Sequence, residues 1–214
     1  MKFLLFIFVM AAPALAQIFS LGAKVGTPLG DAFINSSGSG LTSGARRYLV
    51  GATAEVHLPL RLSIELDAIY KETGFSTYFE SSGIGRFSYR VTANQWEFPL
   101  LAKYEIPASR HLRPFVDAGP VLRHLTGIAD SYTYLEYFPV YSSGSISTNN
   151  SPYLQHRNSP GFVIGGGLMV KLLHIRISPE LRYTRWGSNA FNLLSAGAPT
   201  SNPNQEDFLV GVTF

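Results

Sequence analysis

Residues 50–71 read VGATAEVHLPLRLSIELDAIYK, and on either side of Pro59 the side chains alternate in character with period two. One set is Val50, Ala52, Ala54, Val56 and Leu58, continuing as Leu60, Leu62, Ile64, Leu66, Ala68 and Tyr70. The other is Gly51, Thr53, Glu55 and His57, then Arg61, Ser63, Glu65, Asp67, Ile69 and Lys71. A pleated strand sends successive side chains to opposite faces, so each half is a strand with one apolar and one ionic face. Each strand is about ten residues, roughly twice the ordinary globular length, and its polar face carries charges that an apolar core would reject. Such a hairpin fits either a solvent-washed sheet or a pair of membrane-barrel strands.

The start of the chain places it outside the cytoplasm. Lys2, the apolar run of residues 3–10 and Ala14-Leu15-Ala16 have the order of a secretory signal with a small-x-small cleavage site. That run is far short of the roughly 20 residues a spanning helix needs. The expected division is a signal peptide over 1–16 and one domain over 17–214. No later segment has a long apolar run either, so any crossing of a membrane falls to strands. The 214 residues include no cysteine, which removes disulfides, zinc-thiolate sites and cysteine nucleophiles together. Closing a sheet into a barrel is then the available source of stability. With 17 basic against 14 acidic residues, the charge balance gives no case for a nucleic-acid partner.

The same alternation recurs along the chain. Strands are expected over 18–26, 46–58, 60–71, 88–106, 112–125, 160–172 and 175–186, with an eighth carrying Phe208, Val210, Val212 and Phe214. Between them lie four long polar connections, 27–45, 72–87, 126–158 and 187–205, and three very short turns, at Pro59, around Ser109 and at Leu173-His174. Long and short connections therefore fall at opposite ends, the pattern of an outer-membrane barrel with short periplasmic turns and long extracellular loops. An even strand number lets the first and last strands pair and removes the edge. Tyr48, Tyr70 and Tyr183 are expected at the outer interface and Phe19, Tyr104 and Phe214 at the inner one, as two aromatic girdles. Pro99, Pro114, Pro120 and Pro179 each remove a ladder donor, which predicts bulges or slipped registers beside them. The fold class is all-β, an eight-stranded antiparallel up-and-down transmembrane β-barrel.

Four stretches carry a resemblance as well as a pattern: GAKVGTPL near the start, WEFPLLAKY, RPFVDAGPVLRHLTG and the terminal DFLVGVTF. Together they are similar to the bacterial outer-membrane β-barrel domain family, whose members are small eight-stranded barrels related in shape to the OmpA-type membrane domain, mostly without a known activity. The resemblance implies a porin-like location in the Gram-negative outer membrane, with both termini periplasmic and the long loops extracellular. Phe214 at the end of an alternating strand resembles the signal read by the barrel-assembly machinery. Outer-membrane lipid and lipopolysaccharide are the other expected partners, the protein is expected to be a monomer, and no cofactor is implied.

Candidate chemistry is sparse. His57 near Glu55 and Ser63, or His124 near Thr126, has the composition of a hydrolytic site for a lipid-modifying enzyme, but no nucleophile elbow is visible. His111 and His156 are isolated, and no group has metal-ligand spacing. Gly165-Gly166-Gly167 precedes no helix, so it reads as close strand approach and not as a phosphate loop. The expected sites are therefore none of catalytic, cofactor or metal type. A soluble lipocalin-like carrier shares the periodicity, and the girdles and terminal Phe214 speak against it. Tyr132, Tyr134, Tyr137, Tyr141 and Tyr153 fall in the third long connection, either as an adhesive surface or folding over the rim.

Two charge sets remain. Arg46, Arg47, Lys71, Arg86, Arg90, Arg123, His124, Arg157 and Arg185 are expected around the outer rim, where lipopolysaccharide phosphates offer counter-charges. The inward faces carry Glu55, Glu65, Asp67, Glu97, Glu105, Asp117 and Glu180 against Lys24, Lys71, Lys103, Arg113, Arg123, Lys171, Arg176 and Arg182. An eight-stranded barrel is only wide enough for side chains to fill. Near-parity of charge in that space predicts ion pairs that plug it, including Glu105 directly opposite Arg113, and hence a closed barrel rather than a narrow porin.

Overall fold

The computed structural model describes residues 18–34, 40–43, 47–81, 85–109, 112–136, 142–148, 154–172, 175–191 and 200–214. Its strands are β1 (Phe19–Pro28), β2 (Phe33–Ile34), β3 (Gly40–Ser43), β4 (Leu49–His57), β5 (Leu62–Ser81), β6 (Gly85–Glu105), β7 (Leu112–Glu136), β8 (Ser142–Thr148), β9 (Asn158–Leu172), β10 (Ile175–Trp186), β11 (Thr200–Ser201) and β12 (Asn204–Thr213). Eight of these close a barrel in the order β1-β4-β5-β6-β7-β9-β10-β12, and β12 returns to β1; every pairing is antiparallel. Closure satisfies both edges of every barrel strand, which lipid requires. Residues 1–16, the expected signal peptide, lie outside the described residues.

Period-two alternation sets which side chain faces which medium. On β5, Glu65 is 1% exposed and its neighbour Leu66 is 52% exposed. Leu21, Val25, Val50, Ile64, Leu100, Val116, Leu122, Ile164, Leu168 and Leu181 likewise stand on the outside. Tyr48, Tyr104, Tyr183, Phe19 and Phe214 are exposed as a girdle needs, and Tyr70 faces out, packed on Trp96 with ring centroids 5.3 Å apart. From the level of Tyr104, which pairs with Leu62, to Tyr70 is roughly 20 Å of height after strand tilt, close to the apolar band of an outer-membrane barrel. An apolar exterior around a charged interior is the reverse of a lipocalin.

Two expected connections prove to be strand. Residues 72–81 and 85–87 continue β5 and β6 as a paired ladder, and β7 runs on to Glu136 with β8 paired to it. The connection over 27–45 also holds β2 and β3, and β11 lies in 187–205. β3 adds to the other edge of the β5–β6 ladder, so β3, β5, β6, β7 and β8 rise together as a stave past the rim set by the shorter strands. With β5 at 20 residues against 9 for β4, the excess is about 36 Å measured along the strand.

The prolines do not slip the registers. Pairings on either side of Pro99, Pro114, Pro120 and Pro179 keep a constant offset. The register shift falls elsewhere, between Thr92 and Asn94, where Ala93 faces both Gly127 and Ile128. Gly127 adopts φ +55, the left-handed conformation a glycine bulge requires. This bulge exchanges the faces of β7: Phe115, Asp117, Val121, Arg123 and Leu125 point inward below it, Ile128 and Asp130 above it.

Candidate functional site

The lumen is layered. At mid-height Glu65 receives Lys24, Lys103 and Arg182 from three other strands. Lys24 also reaches Glu180 at 3.0 Å and Asp67 at 3.3 Å, and Arg182 reaches Asp67 at 2.7 Å and pairs with Glu180. Lys103 lies 3.7 Å from Glu55, which accepts a hydrogen bond from Ser63. Nearer the loop end, Lys71 holds Glu97 at 2.6 Å and Asp207 at 3.3 Å. An isolated ion would cost several kcal/mol at such burial, so these charges persist because each cation faces more than one acid. Asp117 is the exception: buried, with neither oxygen hydrogen-bonded and no cation within 4.0 Å among the described residues. A Cβ on Gly165 would stand 2.4 Å from its Oδ1, so the glycine run makes room for carboxylates, a tighter role than strand approach alone.

Apolar side chains fill the space between and around the two ionic layers. Leu101, Val121, Val163 and Trp186 form one cluster and Leu49, Ile69 and Leu209 another. At the loop end Phe33, Phe75, Val91, Ala93, Leu125, Ile128, Ala190 and Phe191 make a lid of eight buried residues. Phe33 meets Phe75 edge-on at 4.9 Å and Phe191 at 6.0 Å. The β2–β11 pair lays Phe33 across the mouth, and Ser201 fixes the backbone amide of Ala190.

Of the inward charges expected from the sequence, Glu55, Glu65, Asp67, Glu97, Asp117, Glu180, Lys24, Lys71, Lys103, Arg123 and Arg182 are buried in the lumen. Glu105, Arg113, Lys171 and Arg176 instead ring the turn-end mouth. Glu105 pairs across the ladder with Phe115, not with Arg113; the turn is longer than a symmetric hairpin there, yet Arg113 still bonds Glu105 diagonally at 2.8 Å. Asp207 and Asp130 are buried acids the sequence reading missed. Asp207 alternates with Phe208 as plainly as any other pair, whereas the bulge at Gly127 hides Asp130 from a period-two reading.

Lys71 and Arg123 are not rim residues. Inward parity on β5 and β7 buries both, Arg123 lying 4.4 Å over the Trp186 ring and donating to the Ser188 carbonyl. Arg47, Arg90, Arg157 and Arg185 are exposed, and Arg86 lies over Tyr78 high on the stave. His124 Nδ1 sits 2.6 Å from Asn158 Oδ1 and so has no role with Thr126. Arg46 lies outside the described residues.

At the turn end a cavity of 280 Å³ is lined by His57, Arg61, Glu105, Arg113, Met169, Lys171 and Arg176, among others. Glu55, His57 and Glu105 bring one ligand atom each within 4.8 Å of one another, a grouping the sequence reading missed although Glu55 and His57 stand two apart on one strand face. Arg176 Nη1 lies 2.6 Å from His57 Nε2 and Arg113 occupies Glu105, so the trio anchors arginines and does not present a free donor set to a metal. Ser63 serves Glu55; the hydroxyl at His57 belongs to Ser20, 3.2 Å from Nε2. Ser20 is buried and does not line the cavity, and no hydroxyl side chain stands among the described residues that line it.

On the stave, the bulge brings Tyr132 and Tyr134 to the same face as Phe87 and Tyr89. Phe87 stacks on Tyr132 at 6.3 Å, and Tyr132 on Tyr134 at 6.1 Å. Ile146 pairs with Tyr132 and is exposed. Tyr137, Tyr141 and Tyr153 lie outside the described residues.

The closed barrel, its apolar belt and its filled lumen agree with a match between residues 3–214 and the family model described as outer membrane protein beta-barrel domain. The chain belongs to this family. Among solved structures, this outer-membrane barrel aligns with outer membrane protein OprG from Pseudomonas aeruginosa at a TM-score of 0.50 and 15% identity, over 92% of this chain and 93% of that one. Neisserial surface protein A gives 0.43 and 11% over 92% and 95%, and Ail from Yersinia pestis 0.35 and 10% over 92% and 97%. At 15% identity the likeness to OprG speaks to the fold alone. No curated protein matches the chain.

Proposed function

We propose that this outer-membrane barrel is a non-conducting surface protein that acts through its raised stave and not through a pore or a catalytic centre. The observation that carries this reading is the lumen, closed by a network of ion pairs and again by the Phe33–Phe75–Phe191 lid. The termini and short turns face the periplasm, residues 1–16 are removed on export, and the stave projects outside the cell. Phe214 ends the last strand and is offered to the barrel-assembly machinery during insertion. Purified protein in planar bilayers gives no stable channel above small-ion leakage; reproducible solute-permeable conductance refutes the reading.

Exposed Tyr132 and Ile146, with half-buried Phe87 and Tyr134 beside them, support a surface-interaction role, because tyrosine offers large contact area at low entropic cost. Arg47, Arg157 and Arg185 stand where lipopolysaccharide phosphates would meet the wall, and guanidinium binds phosphate bidentately. Replacing the three with Gln should weaken lipopolysaccharide binding by the purified protein, and unchanged binding would leave them as ordinary interfacial side chains.

A further inference from the structure

The turn-end mouth holds an excess of positive charge that the protein does not neutralise. Its cavity is lined by Arg61, Arg113, Lys171 and Arg176 with a single lining carboxylate, Glu105, and that acid is taken by Arg113. Among the described residues no carboxylate comes within 4.0 Å of Arg61, Lys171 or Arg176. Lys171 and Arg176 are directly opposed in the β9–β10 ladder, an arrangement of like charges that destabilises a sheet unless something sits between them. Glu55 lies beneath and is satisfied by Ser63 and Lys103, so it does not supply the missing charge.

The backbone is also committed here. Leu60 and Arg61 both adopt φ 64, left-handed for residues with side chains, where Asn-Gly would fit at less cost. Strain of this kind held by two large residues marks a position selected for its side chain. A second cavity of 280 Å³, lined by Arg61, Pro107, Ala108, Ser109 and Arg113, adjoins the first and shares Arg61 and Arg113 with it.

We propose that this mouth is a phosphate-binding site, in which Arg61, Lys171 and Arg176 grip a phosphate group and Arg113 extends the cationic wall into the adjoining cavity. Guanidinium groups meet phosphate oxygens through paired, charge-assisted hydrogen bonds. Arg176 is oriented by His57, which accepts from it through Nε2, and Lys171 adds a point charge from the facing strand. Leu58, Leu60 and Leu62 are exposed around the rim, Leu60 at 84%, so the apolar skirt of the mouth reaches lipid while its inside meets headgroup chemistry. The phosphate is thus either that of a lipid headgroup or a free phosphate from the adjoining water. The site stands on the mouth alone and is independent of whether the barrel conducts.

The test is native mass spectrometry of the folded protein released from uncharged detergent, with three probes: dioctanoyl phosphatidic acid, inorganic pyrophosphate and dioctanoyl glycerol. Saturable binding of the phosphatidic acid and none of the glycerol lipid is expected. In Arg61→Gln/Lys171→Gln, whose side chains are exposed and form no ion pair among the described residues, binding weakens ~10-fold or more, the loss of at least one charge-assisted hydrogen bond. Lys171→Glu, which supplies the missing acid opposite Arg176, abolishes it. Heat-modifiable migration verifies that each variant is folded. Binding of pyrophosphate alongside the lipid assigns a free-phosphate site, and binding of the lipid alone assigns a headgroup site. Failure of both phosphate probes to bind, or equal binding by the variants, overturns the proposal.

Discussion

Arg182 is where removal of one side chain reaches furthest. With Lys24 it links Glu65, Asp67 and Glu180, and its replacement leaves three buried carboxylates to share Lys24 and Lys103. Breaking a buried pair from one side is costly because the stranded charge cannot rehydrate, so Arg182→Leu should lower unfolding stability by about 3–5 kcal/mol. Asp117 has the opposite standing. Among the described residues it forms no ion pair, and Asp117→Asn keeps the shape while removing a charge, so its stability should stay within about 1 kcal/mol of wild type or rise. Urea unfolding of the two variants in the same micelle decides the matter: an Asp117→Asn loss as large as that of Arg182→Leu would mean that Asp117 is held by a charge not yet seen. The acids and bases of this network are readable from alternation alone, since a charge on the inward face of a narrow barrel has nowhere else to go. Which acid meets which base is not readable, because strand tilt brings together side chains from β1, β5, β6 and β10 that lie far apart in the chain.

At the level of the element, Gly127 controls two faces at once. Below it β7 follows the lipid-driven alternation that makes barrel strands visible in a sequence, with Val116 and Leu122 outward and Asp117 and Arg123 inward. Above it no lipid touches the strand, the apolar period fades into Ser131, Tyr132, Thr133 and Tyr134, and the stretch reads as polar loop. That is why the stave was illegible although its ladder is as continuous as the barrel's. Deleting Gly127 removes the extra residue and should turn Tyr132 and Tyr134 away from Phe87, while Asp130 leaves the Tyr89 hydroxyl it accepts from at 2.9 Å. Near-ultraviolet circular dichroism should then lose the aromatic signal of the stack with heat-modifiable migration retained. An unchanged spectrum in a folded deletion variant would show that the register recovers without the bulge.

The whole molecule divides by medium into a barrel and a stave, joined by strands that pass from one to the other without a break. The barrel is closed on itself and filled, so its stability rests on ladder bonds, the ion network and the lid. The stave has two exposed faces and gains mainly from pairing and from ring stacking at its surface, contacts worth about 1 kcal/mol or less each. Lid residues Phe75 and Val91 lie at the foot of the raised β5–β6 ladder and pair with each other across it, marking where the barrel ends. Replacing residues 79–87 with a two-residue Asn-Gly turn joins the paired Tyr78 and Ser88, cuts above that foot and leaves every lid side chain in place. The truncated protein should insert, migrate heat-modifiably and unfold within about 2 kcal/mol of the full chain, given how little a two-faced sheet contributes. It should also remain non-conducting, because the seal lies below the cut. A truncated barrel that opens a steady pore would place the closure in the stave itself, and one that fails to fold would make the stave part of the barrel's folding unit.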